Sequence, residues 1–345
     1  MWALENNTPF ATERVWVRDR NGAEIWVVAV KGTFNINPDG STCLAEKQEE
    51  MCRVPVYMGE PGLSSLLYES DMVQWKLATD VILHGHAYAP NGKAARQIDV
   101  RLRVANTTKT LRVSGDRYWD RGVTALTMTD PHPFLKIPII YERAFGGVDT
   151  RSDDTKKHGW EPRNPVGAGF AVSAEHVVGQ KVPNVEDPRS RVGSWDDRPS
   201  PAGFGPIACH WSPRVELAGT YDEKWKNERF PLVPTDFDDR FHQCAPRDQQ
   251  IAGYLRGGES VELINLTPGG SLRFTLPIVA MSFATYFYGK PAFDHEAVLN
   301  TVILEPDLRR VMMVWETELP CFNYGLKLER TVIDEGERAR PCAKD

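Results

Sequence analysis

The sequence has no apolar run long enough to cross a membrane: the longest, Ile25 to Val30, falls far short of the roughly 20 residues a bilayer helix needs. Its opening stretch, MWALENNTPFATERVWVRDR, has no basic segment leading into an apolar one, so a cytoplasmic protein with no membrane partner is expected. Cysteine is scarce, with six in 345 residues, at positions 43, 52, 209, 244, 321 and 342. None has CxxC spacing, which argues against a disulfide framework and predicts thiols in a reducing compartment. Basic charge is not in excess either, since 41 Lys and Arg face 47 Asp and Glu for a net charge of -6. Binding nucleic acid needs a basic surface that releases counterions, so no nucleic-acid partner is expected. The patterns G-x-S-x-G, G-x-G-x-x-G and G-x-x-x-x-G-K are also missing, which removes the usual support for α/β-hydrolase, dinucleotide and P-loop chemistry.

What is present is turn chemistry and a period of two. The 25 prolines and 27 glycines imply many turns, and 345 residues suffice for a large core without staples. Ile25 to Asn37 alternates into the turn Pro38, Asp39, Gly40; Asp80 to Tyr88 and Gln97 to Val104 flank APNGK; Lys109 to Ser114 follows ANTT. Near the other end, VELINL and SLRFTLP flank TPGG, and TVILEP and RRVMMVWET flank a second turn. The expected fold is mainly β, with antiparallel sheets in a sandwich or barrel-like arrangement, long structured loops and few short helices. The candidate helices are Ser64 to Asp71, Tyr221 to Phe230, and Asp248 to Leu255 with Asp248 as cap. Three regions are distinguished: an antiparallel β region over 1–130, an irregular middle over 131–250, and β hairpins over 251–345 packing on the same unit. The middle is rich in Gly, Pro, Asp and Arg, yet its interleaved Trp160, Phe170, Trp195, Phe204, Trp211 and Trp225 argue for ordered loops.

Candidate chemistry is scattered. Cys209 and His210 are adjacent, and neighbours on an extended segment point to opposite faces, so they read as a loop corner. A zinc site joining them to His242 and Cys244 lacks paired ligand spacing on one side. Asp80, His84 and His86 share one face of a strand and form the fallback ligand set for a metal-dependent hydrolase or carbohydrate-active enzyme. The DFDDR run lacks the glycine and distal glutamate of a calcium loop, so turn capping and Asp to Arg pairing are expected there. Glycines and prolines beside aromatics and arginines, in YERAFGG, RNPVGAGF and PAGFGP, predict rigid loops, with Arg163, Arg198 and Arg214 as loop-locking partners of nearby aspartates.

These segments, with VYMGEPGLSSLLYESD, ATDVILHGHAYAP, VPNVEDP, PAGFGPIACHWSPR, AGTYDEKW, FDDRFHQCAPRDQQ and LRGGESVELINLTPGG, resemble a domain-of-unknown-function family found beside type VI secretion effectors. The resemblance runs from Met1 to about Val332 and leaves out the tail DEGERARPCAKD. It implies a non-catalytic cytoplasmic adaptor or chaperone, without a cofactor. Such a protein binds the N-terminal region of a secreted effector and assists its loading onto the secretion spike or its PAAR-type tip. It assigns no catalytic residue. Tyr57, Trp75, Trp160, Trp195, Trp211 and Trp225 are the candidate partner contacts, because aromatic side chains dominate interface energy. Recognition by helix in groove and by strand addition are both open.

Overall fold

The computed structural model describes residues 2–123, 125–321 and 324–336. The protein is mainly β, and its sheets pack on one another without closing into a barrel. A central sheet of seven strands runs in the order Ala11–Arg18, Glu24–Ile36, Arg310–Pro320, Val298–Glu305, Ala78–Leu83 and Gln250–Ala252, with Thr42–Leu44 extending Glu24–Ile36. Its pairs are antiparallel except Ala78–Leu83 with Val298–Glu305. Strands from both ends of the chain thus meet in one sheet.

The central strands are covered on both faces, which explains why their sequences are nearly continuous apolar runs. Trp26 to Val30 and Val311 to Val314 are all buried. Lys31 interrupts the first run and is itself buried, with Nζ 2.9 Å from Asp71 Oδ2. A second sheet of five strands has the order Val185–Glu186, Thr107–Ser114, Gln97–Val104, Ser260–Ile264 and Ser271–Thr275. Here the alternation is clean: Ile98, Val100, Leu102 and Val104 face the core while Asp99, Arg101 and Arg103 face solvent. A third sheet joins Ala3–Asn6, Leu328–Glu335, Met281–Phe287 and Phe293–His295, and Trp26 Nε1 ties it to the central sheet by donating to Thr331 Oγ1 at 2.8 Å. The main core lies among these sheets and includes Val81, Leu83, Val100, Leu263, Leu304 and Phe204.

Several local expectations change in the folded chain. Only Glu223–Glu228 is α-helical among the described residues; Asp222 caps it by accepting from the Trp225 N–H. Ser64 to Asp71 contains the strand Leu66–Tyr68, and Asp248 to Leu255 becomes a single 3-10 turn, Arg247–Gln249, followed by the strand Gln250–Ala252. Sheet pairing with Ala78–Leu83 overrides the helical propensity, and Asp248 bonds Lys109 instead of capping. The expected strand from Asp80 to Tyr88 breaks at His84 and Gly85, where His86–Tyr88 leaves to pair with Lys136–Pro138. Cys52, Cys209, Cys244 and Cys321 are free thiols, but Cys43 is disulfide-bonded, contrary to the expectation of six thiols; Cys342 lies outside the described residues. No described helix is long and apolar enough to cross a membrane.

Removing one partner of a buried ion pair leaves an uncompensated charge, so Lys31→Met is expected to destabilise the protein by about 3–5 kcal/mol in urea unfolding. Adding Asp71→Leu should recover most of that loss, leaving the deficit from the Cys52 N–H that Asp71 Oδ2 accepts at 2.7 Å.

Candidate functional site

The irregular middle is held together by close backbone contacts. In YERAFGG, Gly146 and Gly147 have φ of 150° and 108°, and a Cβ on Gly146 would sit 2.1 Å from the Asn164 carbonyl oxygen. Only glycine permits that approach. Asn164, fully buried in RNPVGAGF, donates through Nδ2 to the carbonyls of Tyr141 at 2.8 Å and Phe145 at 3.0 Å, so the two loops are clamped.

The clamped loops surround a cleft of about 600 Å³. One wall is Thr108 to Leu111, in the strand Thr107–Ser114 at the margin of the five-stranded sheet. The others come from segments remote in sequence: Tyr141, Arg163, Asp187 to Arg189, Ser200 to Ala202, Ile207, Ser212 and Pro213, and Pro246 to Asp248. Tyr141, Arg163, Ser200 to Ala202 and Ile207 belong to or border the loops expected to be rigid, YERAFGG, RNPVGAGF and PAGFGP, whereas Asp187 to Arg189, Ser212 and Pro213, and Pro246 to Asp248 lie outside them. Leu111, Tyr141, Ala202 and Ile207 supply apolar lining, and four basic side chains stand around it.

Three of the four are neutralised in place. Glu161 accepts two bonds from Arg163, both 2.7 Å, which holds the Glu161 carboxyl below its ordinary range against the desolvation that pushes it up. Arg189 lies 2.9 Å from Asp187, and its hydrogen bonds keep that carboxyl low. Lys109 is almost fully buried, 2.8 Å from both Asp248 and Gln249 and 5.9 Å from the Phe204 ring; burial lowers its pKa against the pull of Asp248. Arg247 is exposed and has no ion-pair partner among the described residues. The lining contains neither histidine nor cysteine, so its serine and threonine hydroxyls have no imidazole base beside them. An apolar pocket with one unspent cation is equipped to bind, with carboxylates already committed to salt bridges.

The predicted residues lie elsewhere. Asp80 is fully buried: its carboxylate accepts from Lys76 Nζ at 2.9 Å, Gln243 Nε2 at 2.7 Å and Cys244 N–H at 2.8 Å. Burial pulls the Lys76 ammonium down, yet Asp80 holds it above its ordinary value, and burial drives the Cys244 thiol up, so that thiol is a packed neutral group. His84 packs its ring edge against Tyr68 at 5.2 Å, and its Nε2 has no partner. His86, past the strand break, reaches Asp307. The strand alternation is real, but the face assumed open is covered, and the break at Gly85 separates His86 from the other two. Among the described residues no group of three His, Cys, Asp or Glu side chains could hold a metal ion.

None of the six aromatic candidates lines the cleft. Trp211 is 1% exposed beneath Tyr141, with ring centroids 5.7 Å apart, and therefore offers no contact surface. Trp195 packs beside the Phe145 cluster; Trp225 is held between Tyr221 and Phe230; Trp75 stands over His242; Tyr57 stands over His210, the last placing the Cys209 and His210 corner against a short hairpin. Trp160 alone is largely exposed, at 62%. Arg163, Arg198 and Arg214 bridge loops, but through Glu161, the Ala171 carbonyl and Glu69 respectively and not through the nearby aspartates expected from sequence. Sequence reasoning missed Lys109, Arg189 and Arg247, since an isolated basic residue in a strand or turn carries no periodic signal.

Burial lowers His84, His242 and His295 to about 4 from 6.5, in each case chiefly by desolvation. The unfolded chain binds these protons below about pH 6.5 and the folded chain only near 4, so stability is full above 6.5 and lost as pH falls between those values. Chemical denaturation at pH 7 and at pH 4 should show a smaller acid loss for His84→Leu than for wild type, by about 1–3 kcal/mol.

The profile of a family described as an uncharacterized protein conserved in bacteria, DUF2169, matches residues 21–316. No curated protein and no solved structure matches the chain.

Proposed function

The chain belongs to this DUF2169 family of bacterial proteins, and from that premise we propose that it works as a polypeptide-binding adaptor rather than as a catalyst. The observation that carries the reading is the cleft: five loops remote in sequence are locked around apolar lining and an unpaired guanidinium, while its acidic groups are spent in ion pairs. Binding sites are usually loops positioned by a rigid scaffold, and this one fits that pattern. The resemblance of its motifs to proteins found beside type VI secretion effectors supports a finer reading. In it, the partner is the N-terminal region of a secreted effector, captured in the cytoplasm and delivered to the spike or its tip. The hydrolase alternative loses its motivation, because Asp80, His84 and His86 do not converge.

Co-expression with the neighbouring effector tests this directly. The expected outcome is a soluble complex that purifies through a tag on either protein and disappears when the effector N-terminus is deleted. Ser200→Trp, which fills the cleft mouth from an exposed position, should weaken capture at least about tenfold while leaving the melting temperature within a few degrees. An effector that is equally soluble alone and never co-purifies would sink the reading.

A further inference from the structure

We infer that the cleft captures its polypeptide by strand addition, an extended acidic segment pairing in the antiparallel sense with the open edge at Thr108 and Thr110. The inference rests on the polypeptide-binding reading and specifies its geometry.

The edge is defined by register. Thr107–Ser114 pairs along its whole length with Gln97–Val104 on one side, but on the other Val185–Glu186 reaches only Arg112 and Val113. The Ser114 N–H donates to the Asn184 carbonyl at 2.9 Å, which shows that even-numbered residues of this strand turn their backbone groups outward. In an antiparallel ladder that alternation continues, so Thr110 and Thr108 direct N–H and C=O the same way. Both residues line the cleft, and neither has a backbone partner on that side among the described residues. The covering strand stops because Asp187, which would stand opposite Leu111, turns away at Pro188 with Asp187 bridged to Ser190. Proline cannot donate to a ladder, so the turn ends the pairing and leaves an edge that opens into a pocket instead of into bulk solvent.

A guest strand continuing the line of Val185–Glu186 would satisfy those four backbone groups. The apolar lining that stays accessible in the cleft, Pro201, Ile207 and Pro213, favours apolar residues at alternate positions of the guest. Arg247 selects a carboxylate at the rim, because the remaining basic groups of the cleft already have partners.

The probe is acetyl-Val-Asp-Val-Asp-Val-amide titrated into the full chain, with amide hydrogen exchange as the readout. In the free protein, Thr108 and Thr110 should exchange much faster than Leu111, whose N–H belongs to the inner ladder. Saturating peptide should slow both at least about tenfold. N-methylation of the peptide residues opposite Thr108 and Thr110 should abolish the effect, and N-methylation of the residue between them should not. Thr110→Pro removes an outward N–H without removing a bond to Gln97–Val104, and should weaken the peptide at least about tenfold. If that variant fails to fold, Arg247→Glu supplies the second test, with the same direction of effect. Thr108 and Thr110 amides already protected in the free protein, or no peptide-dependent protection, overturn the inference. Effector capture by wild type alongside a silent edge would overturn strand addition and leave polypeptide binding standing; peptide protection without effector capture would leave strand addition standing and overturn the secreted effector as its partner.

Discussion

A buried carboxylate organises the protein. Asp80, on a central strand with no exposure, is stable only because Lys76, Gln243 and Cys244 all donate to it; an ion so placed without them would cost several kcal/mol. Lys76 comes from just before the strand, and Gln243 and Cys244 come from a segment 163 and 164 residues further along the chain. Satisfying Asp80 therefore seats the segment Gln243 to Gln249 beside the sheet. Gln249 then reaches the carbonyls of Val81 and Phe204 at 2.7 and 2.9 Å, and the next residues complete the sheet as Gln250–Ala252. The position of Arg247 and Asp248 at the cleft is a consequence of that anchoring.

The same logic runs through the loops. Backbone that leaves regular structure must still satisfy its hydrogen bonds, and here side chains such as Asn164, Gln249, Arg163 and Arg214 do so. Each is buried or partly buried, and each bridges segments that are far apart in sequence. The result is a loop region with strand-like order and almost no strand content. Such a region can hold a cleft at fixed dimensions, which limits the ordering entropy that binding would otherwise cost.

Charge in this protein is mostly spent on structure. Arg117 with Glu186, Arg214 with Glu69 and Lys31 with Asp71 are buried pairs, and in the DFDDR run Asp238 caps its turn and pairs with Arg240, the turn capping and arginine pairing expected there. Around the cleft Lys109, Arg163 and Arg189 are each matched to a carboxylate, which leaves Arg247 as the basic lining residue without an ion pair among the described residues.

How much was legible divides along physical lines. Period-two alternation, turn residues and the lack of long apolar runs determine a mainly-β architecture, because they act within a few residues; Gln97–Val104 and Ser260–Ile264 could be read almost to the residue. The positive φ at Asn91 and Gly92 follows in the same way from APNGK. Tertiary structure alone decided the rest. Gln250–Ala252, inside the expected helix Asp248 to Leu255, became strand because it pairs with the edge of Ala78–Leu83 in the central sheet, a non-local fact. Asp80 lost its exposed face because the remote segment at Gln243 and Cys244 covers it, His86 left that face at the strand break after Leu83, and Trp211 went under Tyr141 by long-range packing. The cleft itself is a junction of segments separated by many tens of residues. Part of its wall was visible in the sequence as the rigid loops YERAFGG, RNPVGAGF and PAGFGP, but the meeting point depends on long-range packing that no local pattern encodes.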